Sequence, residues 1–136
     1  MASNVAEFYK NKNIFITGGT GFVGIALVEK ILRSCPDVGK VYLLMRPKKG
    51  KAIEERLDDI TKNSVFSVLL EQNSPDVFKK LVPVAGDVGE ENLGLSSDDR
   101  QILANNVNIV IHSAATLDFQ ASLRPTVLIN LLGTRR

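Results

Sequence analysis

The sequence predicts an α/β protein in which helices cover both faces of a doubly wound, parallel sheet. Short apolar runs alternate along the chain with segments of helical character, and the runs are apolar at successive positions, as in strands buried on both faces. A glycine-rich turn joins the first run to the first long helix. With 136 residues the chain is long enough for one domain with its own core.

The first predicted unit is a strand, a helix and a second strand. Residues 13–17 are a short β-rich apolar run, and residues 41–45 are another. Between them, residues 22–32 are rich in apolar side chains from Phe22 onward, which predicts a helix that lies on the sheet. Glu29 is expected on the solvent-exposed edge of this helix. The crossover is expected to be right-handed and the two strands parallel.

The middle of the chain predicts two helices and a third strand. Residues 51–62 read as a charged, mostly exposed helix, and residues 64–71 as a shorter, more apolar one. Residues 81–86 have the character of a strand that contains Pro83. Because proline lacks the N–H that a central ladder needs, we expect this strand at an outer position, in the order 3-2-1-4.

The last third predicts a helix, a strand and a helix. Ser96 or Ser97 caps a helix that runs through residue 103, and residues 108–112 are a fourth strand, again apolar on both faces. A last helix begins near Pro125 and is still running where the sequence stops. Such a strand expects a further neighbour, so we expect residues 1–136 to be the truncated N-terminal part of one domain whose remainder is absent.

Composition excludes several classes of function. The net charge of +2 gives no basis for binding nucleic acid or an anionic membrane surface. The single cysteine, Cys35, cannot form an intrachain disulfide and is interpreted as structural. Residues 1–13 lack the apolar core of a signal peptide, and no apolar run approaches the ~20 residues that span a bilayer. No metal site is predicted.

The glycine-rich turn after the first strand is the most informative motif. Gly18 lets the chain leave the strand sharply, Gly21 lets the backbone approach a pyrophosphate, and Gly24 lets the helix pack closely against the strand. The following helix offers its free N–H groups and positive dipole end to phosphates. Since the turn lies inside a β-α-β unit, it predicts a dinucleotide site. The residues assigned to it are Thr17, Gly18, Thr20, Gly21, Phe22, Val23 and Gly24.

The end of the second strand favours NADP over NAD. An NAD site carries an Asp or Glu there, which binds the ribose hydroxyls, whereas this chain has Arg46. A guanidinium can bind the 2′-phosphate of NADP with two parallel hydrogen bonds. The alternative, a solvated basic loop, suits Lys49 and Lys51 better than Arg46.

Polar and small residues follow the third and fourth strands. Asp87 could accept a hydrogen bond from an adenine amino group or cap a turn, and spacing does not decide between the two. The fourth strand ends in His112 and then the small residues 113–115, beside which a cofactor can lie. No carboxylate flanks His112, so it is not interpreted as a base. Asn130, a poor helix former inside the last helix, indicates a buried polar network or a functional amide.

Together these segments resemble the extended short-chain dehydrogenase/reductase superfamily and, within it, the fatty acyl-CoA reductases. The resemblance covers almost the whole chain. It implies reduction of a long-chain acyl-CoA to a fatty alcohol by two hydride transfers from NADPH, with an aldehyde between them. Its most specific segments are residues 17–24, 27–33, 42–50, 111–119 and 130–135.

The resemblance also implies roles for individual residues. Arg46 would bind the NADP phosphate, Asp87 and Val88 the adenine end, and Ala114 and Ala115 would lie beside the nicotinamide ribose. Ser113, next to them, is also assigned to the cofactor site. Asn130 matches an asparagine that supports the proton relay. The family's proton donor, a Tyr in a Tyr-x-x-x-Lys motif aided by Ser or Thr, is absent from this sequence. We therefore expect the 136-residue chain to carry the cofactor half and not to reduce acyl-CoA alone.

Three alternatives stay open at this stage. The chain could come from another extended-family NADP oxidoreductase, such as a thioester reductase or a nucleotide-sugar epimerase or dehydratase. It could be a non-catalytic NADP-binding regulator, or an inert truncated product that never folds. The resemblance implies an intracellular protein that faces the cytosol, with association to endoplasmic reticulum or peroxisome membranes through a C-terminal region that this sequence lacks.

Overall fold

The computed structural model describes residues 4–47 and 50–135. Within these residues, four parallel strands form one sheet: β1 (Ile14–Thr17), β2 (Val41–Met45), β3 (Leu81–Ala85) and β4 (Ile109–His112). Their order across the sheet is β3-β2-β1-β4, as predicted from the sequence. Pro83 lies in the outer strand β3, opposite Leu43, where its missing N–H is tolerated.

Helices precede, separate and follow the strands. The helix predicted over residues 51–62 is shorter than expected, and the one over 64–71 opens with a 3₁₀ turn. The predicted helix after Ser96 is real, and the Ser96 side chain accepts its capping hydrogen bond from the Asp99 N–H. Helix α1 was not predicted. The α-helices between the N-terminus and β4 are α1 (Asn4–Tyr9), α2 (Phe22–Ser34), α3 (Ile53–Thr61), α4 (Ser67–Gln72) and α5 (Ser97–Asn106), with 3₁₀ turns at Ser64–Phe66, Pro75–Lys80 and Glu91–Gly94.

The last helix, residues 123–135, consists of three consecutive segments. It begins as α6 (Leu123–Thr126), widens into a π-helical segment (Val127–Leu132) and ends as α7 (Gly133–Arg135). Segments of π-helix are rare and are frequently found at functional sites. The predicted start near Pro125 is confirmed, whereas Arg136 lies outside the described residues.

Both faces of the central strands β1 and β2 are covered, and alternate residues of each strand point to opposite faces. On one face Ile14, Ile16 and Leu43 pack with residues of α2 such as Val28 and with the buried Phe66. On the other face Phe15, Tyr42 and Leu44 pack with Val84, Val88 and Leu103. Strands β1 and β2 are buried along their whole length, as the unbroken apolar runs predicted.

Two burial predictions are wrong. Glu29 was expected on the solvent-exposed edge of α2, but it is buried. It forms an ion pair with Arg33 one turn later, with 2.6 Å between Glu29 Oε1 and Arg33 Nε. The hydrogen-bonded carboxylate raises the pKa of the Arg33 guanidinium. Strand β4 was expected to be buried on both faces, but it alternates between half-buried and exposed, with Val110 63% exposed. It lies at the edge of the described sheet, where its second face has no covering layer.

Cys35 is buried at the end of α2, which agrees with a structural role. Burial raises the pKa of its thiol, so the reactive thiolate is scarce at neutral pH. We expect a thiol reagent such as DTNB to leave Cys35 unmodified in the native chain at pH 7 and to react fully after urea unfolding. Rapid reaction without denaturant would contradict the burial of this side chain.

Among residues 4–47 and 50–135, no helix combines the length and the apolar character required to cross a membrane.

Candidate dinucleotide site

A cleft of about 690 Å³ opens at the carboxyl ends of the strands, where open α/β sheets bind ligands. Its size is within the range of small-molecule sites. A second hollow of about 510 Å³ shares Arg46, Arg56, Gly86 and Asp87 with it. The cleft therefore continues along the sheet edge toward β3. The lining residues are Gly18, Thr20, Gly21, Phe22, Val23, Gly24, Leu44, Arg46, Arg56, Gly86, Asp87, Val88, Ser113, Ala114, Ala115, Thr116, Leu117 and Ile129.

The glycine turn is closely packed against its surroundings. Gly18 has a φ of +74°, and a Cβ there would lie 2.6 Å from the Ala114 nitrogen. At Gly24, in the first turn of α2, a Cβ would lie 1.8 Å from the Gly18 carbonyl oxygen. The close approach predicted for Gly24 is therefore present, but against the turn itself.

The N-terminus of α2 faces the cleft with its backbone exposed. No side chain caps the helix at Gly21, so the first-turn N–H groups stay available for a ligand. A Cβ at Gly21 would have open space around it, with its nearest neighbour 3.5 Å away. The apolar pattern suggested that Phe22 and Val23 pack on the sheet. Instead they are 93% and 66% exposed and line the cleft.

Two arginines meet at the end of β2. Arg46 is exposed and lines both parts of the cleft, and Arg56 of α3 lines them too. The Arg56 guanidinium donates through Nη1 to the backbone carbonyl oxygen of Arg46, so the Arg56 side chain reaches the end of β2. Lys48 and Lys49 lie outside the described residues, and Lys51 pairs with Asp59, whose pKa it lowers through a hydrogen bond.

The turn after β3 shapes the second part of the cleft. The Asp87 side chain accepts a hydrogen bond from the Gly89 N–H at 2.8 Å, so the turn-capping alternative from the sequence is present in the structure. The Asp87 N–H donates to the Leu93 carbonyl at 2.7 Å. Leu93 and Asn92 have φ values of 59° and 52°, an uncommon conformation for residues other than glycine. Such strain often marks a functional site.

Residues 113–115 form the wall opposite the glycine turn. The Ser113 hydroxyl donates to the Thr17 carbonyl at 2.8 Å, and the Ala114 N–H donates to the Thr17 hydroxyl at 3.3 Å. Thr17 itself is buried and does not line the cleft, unlike the other assigned residues of the turn. Its place is behind the cleft, where it joins β1 to the end of β4.

Asn130 also lies outside the cleft lining. Its side chain is exposed, so the buried polar network considered from the sequence is not formed. The Asn130 Oδ1 accepts from the Thr116 N–H at 2.8 Å, and its Nδ2 donates to the Thr116 carbonyl at 3.3 Å. The amide thus holds the backbone of a residue that does line the cleft.

Arg56 is the main site residue that sequence reasoning missed. Its position in a charged helix made it one exposed charge among several. One signal was available, because Arg56 follows Arg46 by ten residues and so falls on the helix next after the second strand. Sequence reasoning also missed Thr116 and Leu117, which follow β4, and Ile129 of the last helix.

Comparison with known proteins extends these observations. A family model of NAD-binding domains described as male sterility protein matches residues 16–136. A Drosophila melanogaster protein that carries a fatty acyl-CoA reductase name is 56% identical over 99% of this chain and 26% of its own length. Fatty acyl-CoA reductase 1 of Rattus norvegicus is 39% identical over 98% of this chain and 26% of its own length. The chain thus spans about a quarter of the length of the curated relatives that it matches.

A solved structure shares the architecture. The terminal R domain of the myxalamid PKS-NRPS biosynthetic pathway superposes with a TM-score of 0.73 at 28% identity, covering 93% of this chain and 30% of that domain. This likeness confirms the α/β, Rossmann-type fold predicted from the sequence.

Proposed function

Because this chain belongs to the male sterility protein family of NAD-binding domains, we propose that it forms the NADPH-binding part of a reductase that converts fatty acyl-CoA to fatty alcohol. The observation that carries the proposal is the cleft, in which an uncapped helix N-terminus and a glycine turn face two arginines. Binding of NAD or NADP follows from the family. We propose in addition that the cofactor is NADPH and that the substrate is an acyl-CoA.

The residues of the cleft fit a dinucleotide. The open space at Gly21 and the available N–H groups of α2 suit a pyrophosphate, whose charge the helix dipole stabilises. Thr20, Phe22 and Val23 would border the same group. Asp87 and Val88, at the end of β3, would lie along the adenine end.

Arg46 and Arg56 support NADPH over NADH. A 2′-phosphate carries two charges and three acceptor oxygens, and arginine binds such groups through two parallel hydrogen bonds. No carboxylate side chain is present at the end of β2 to bind the ribose hydroxyls instead. Both arginines line the same part of the cleft, so either guanidinium is available to a phosphate bound there.

Ser113, Ala114 and Ala115 are assigned to the nicotinamide end. Because their side chains are small, a ligand in the cleft can approach the backbone of these residues. Asn130 holds the neighbouring Thr116 in place. When bound, NADPH supplies the hydride that reduces a carbonyl carbon. The developing oxyanion then requires a proton donor. Tyr42 is buried in the core and Tyr9 lies in α1, so neither tyrosine of the chain serves that purpose here.

The acyl-CoA substrate is proposed from the names of the relatives. The relatives that carry the name fatty acyl-CoA reductase are 56% and 39% identical, against 28% for the R domain of the PKS-NRPS pathway. The stronger similarity favours acyl-CoA over a thioester held in such an assembly. Intracellular, cytosol-facing placement beside endoplasmic reticulum or peroxisome membranes remains a proposal that follows from the same resemblance.

Titration of the chain with each nicotinamide cofactor tests the proposal. We expect NADPH to bind saturably, with a change in the fluorescence of the bound cofactor. NADH should bind at least tenfold more weakly because it lacks the 2′-phosphate. NADP⁺ and 2′,5′-ADP should compete with NADPH, whereas 5′-AMP should compete poorly. Equal affinity for NADPH and NADH would refute the choice of cofactor. If neither cofactor bound, the proposed site would be refuted.

A further inference from the structure

His112 lies at the centre of a hydrogen-bonded chain that the proposed function does not use. Its Nδ1 is 2.6 Å from the Thr17 hydroxyl oxygen, and its Nε2 is 3.0 Å from the Thr134 hydroxyl oxygen. Thr17 ends β1 beside the glycine turn, and Thr134 belongs to the last helix, one turn after Asn130. One imidazole therefore bridges two parts of the fold that border the cleft.

Proton accounting assigns the tautomer of this ring. The Thr134 hydroxyl donates its only proton to the Asn130 carbonyl at 2.8 Å, so its oxygen must accept from His112 Nε2–H. In the neutral ring Nδ1 is then an acceptor, which receives the Thr17 hydroxyl proton. The Thr17 oxygen remains free to accept from the Ala114 N–H. Each hydrogen bond of this network thus has one assigned donor and one assigned acceptor.

We propose that His112, as the neutral Nε2–H tautomer, is a positioning residue that aligns the glycine turn and the last helix around the bound cofactor. This inference rests on the proposed NADPH site. Through Thr17 the ring orients the Ala114 N–H at the cleft wall, and through Thr134 it anchors the helix turn that carries Asn130. Asn130 in turn holds Thr116, so the relay reaches the cleft at both ends.

The tautomer can be measured without any cofactor. His112 is the only histidine of the chain, so a ¹⁵N-labelled sample gives a single imidazole to assign. We expect the two ring nitrogens to show a protonated Nε2 and an unprotonated Nδ1 at pH values where the ring is neutral. A protonated Nδ1, or an average of both tautomers, would overturn the assignment. This outcome is independent of whether NADPH binds.

The coupling is tested by matched threonine substitutions in the last helix. Thr134→Val removes the partner of His112 together with a hydroxyl that donates to a carbonyl four residues earlier. Thr126→Val removes a hydroxyl that donates in the same way, to the Ser122 carbonyl, but has no histidine partner. We expect Thr134→Val to weaken NADPH binding roughly fivefold, the value of one hydrogen bond, and Thr126→Val to leave it unchanged.

Substitution of the ring completes a double-mutant cycle. His112→Asn keeps an acceptor near the Nδ1 position and loses the Nε2 donor, so we expect it to match Thr134→Val, and the double variant to be no weaker than either single one. Additive losses, or equal affinities for the Thr134→Val and Thr126→Val chains, would show that no coupling passes through His112. If the wild-type chain binds no NADPH, the proposed function fails and the positioning role fails with it, whereas the tautomer measurement still tests the hydrogen bonds of His112.

Discussion

Gly24→Ala is expected to remove NADPH binding and to destabilise the chain by at least about 2 kcal/mol. The added Cβ would lie 1.8 Å from the Gly18 carbonyl oxygen and 2.6 Å from the Gly19 Cα, both backbone atoms that no side-chain rotation can move away. Overpacking of this kind costs about 3 kcal/mol, whereas alanine in place of glycine gains only about 1 kcal/mol of helix propensity. The glycine turn must therefore shift, and the phosphate site moves with it.

Gly21→Ala is the matched control, because the same methyl group at Gly21 meets no atom closer than 3.5 Å. Its φ of −83° suits any residue, but alanine is less favourable than glycine at a helix N-cap, so the free energy of unfolding should fall by no more than about 1 kcal/mol. The methyl would still project from a residue that lines the cleft, so NADPH affinity should fall at least tenfold. Urea melts and cofactor titrations of both variants separate the two effects. A Gly24→Ala chain as stable as Gly21→Ala would contradict the described packing.

Arg46→Ala is expected to weaken NADPH binding by about 30-fold while leaving NADH binding unchanged. A hydrogen bond to a charged group contributes about 2 kcal/mol, which corresponds to this factor, and NADH has no 2′-phosphate to lose it. Arg56→Ala should act in the same direction, with the additional loss of its bond to the Arg46 carbonyl. The ratio of NADPH to NADH affinity is the informative quantity, since a general loss of folding would lower both.

Arg100→Ala serves as the control for the loss of one positive charge. Arg100 is exposed on α5 and is absent from the cleft lining, so its removal should leave the ratio of the two affinities as in the wild type. The effect of the cleft arginines should also shrink as salt is added, because phosphate contacts at an exposed site are screened. An unchanged affinity ratio in Arg46→Ala would show that Arg46 has no part in cofactor choice.

The sheet, its strand order and the glycine turn could be predicted from the amino-acid sequence alone. Each of these depends on local patterns: unbroken apolar runs predict doubly buried strands, Pro83 places its strand at the edge, and glycines at 18, 21 and 24 fit one turn type. Most of the assigned cofactor residues also line the cleft, because the carboxyl ends of parallel strands meet at one edge of the sheet.

The contacts between residues far apart in the sequence could not be predicted and are visible only in the folded chain. Glu29 is buried and pairs with Arg33, and Phe22 is exposed and lines the cleft, although both lie in the same apolar-rich helix. Arg56 joins Arg46 through a hydrogen bond that no periodicity encodes. Thr17 and His112 are 95 positions apart, and their contact exists because β1 pairs with β4 in one particular register. Hydrogen bonds of this kind depend on distances of tenths of an ångström between elements, whereas a sequence pattern records only which face of each element is apolar.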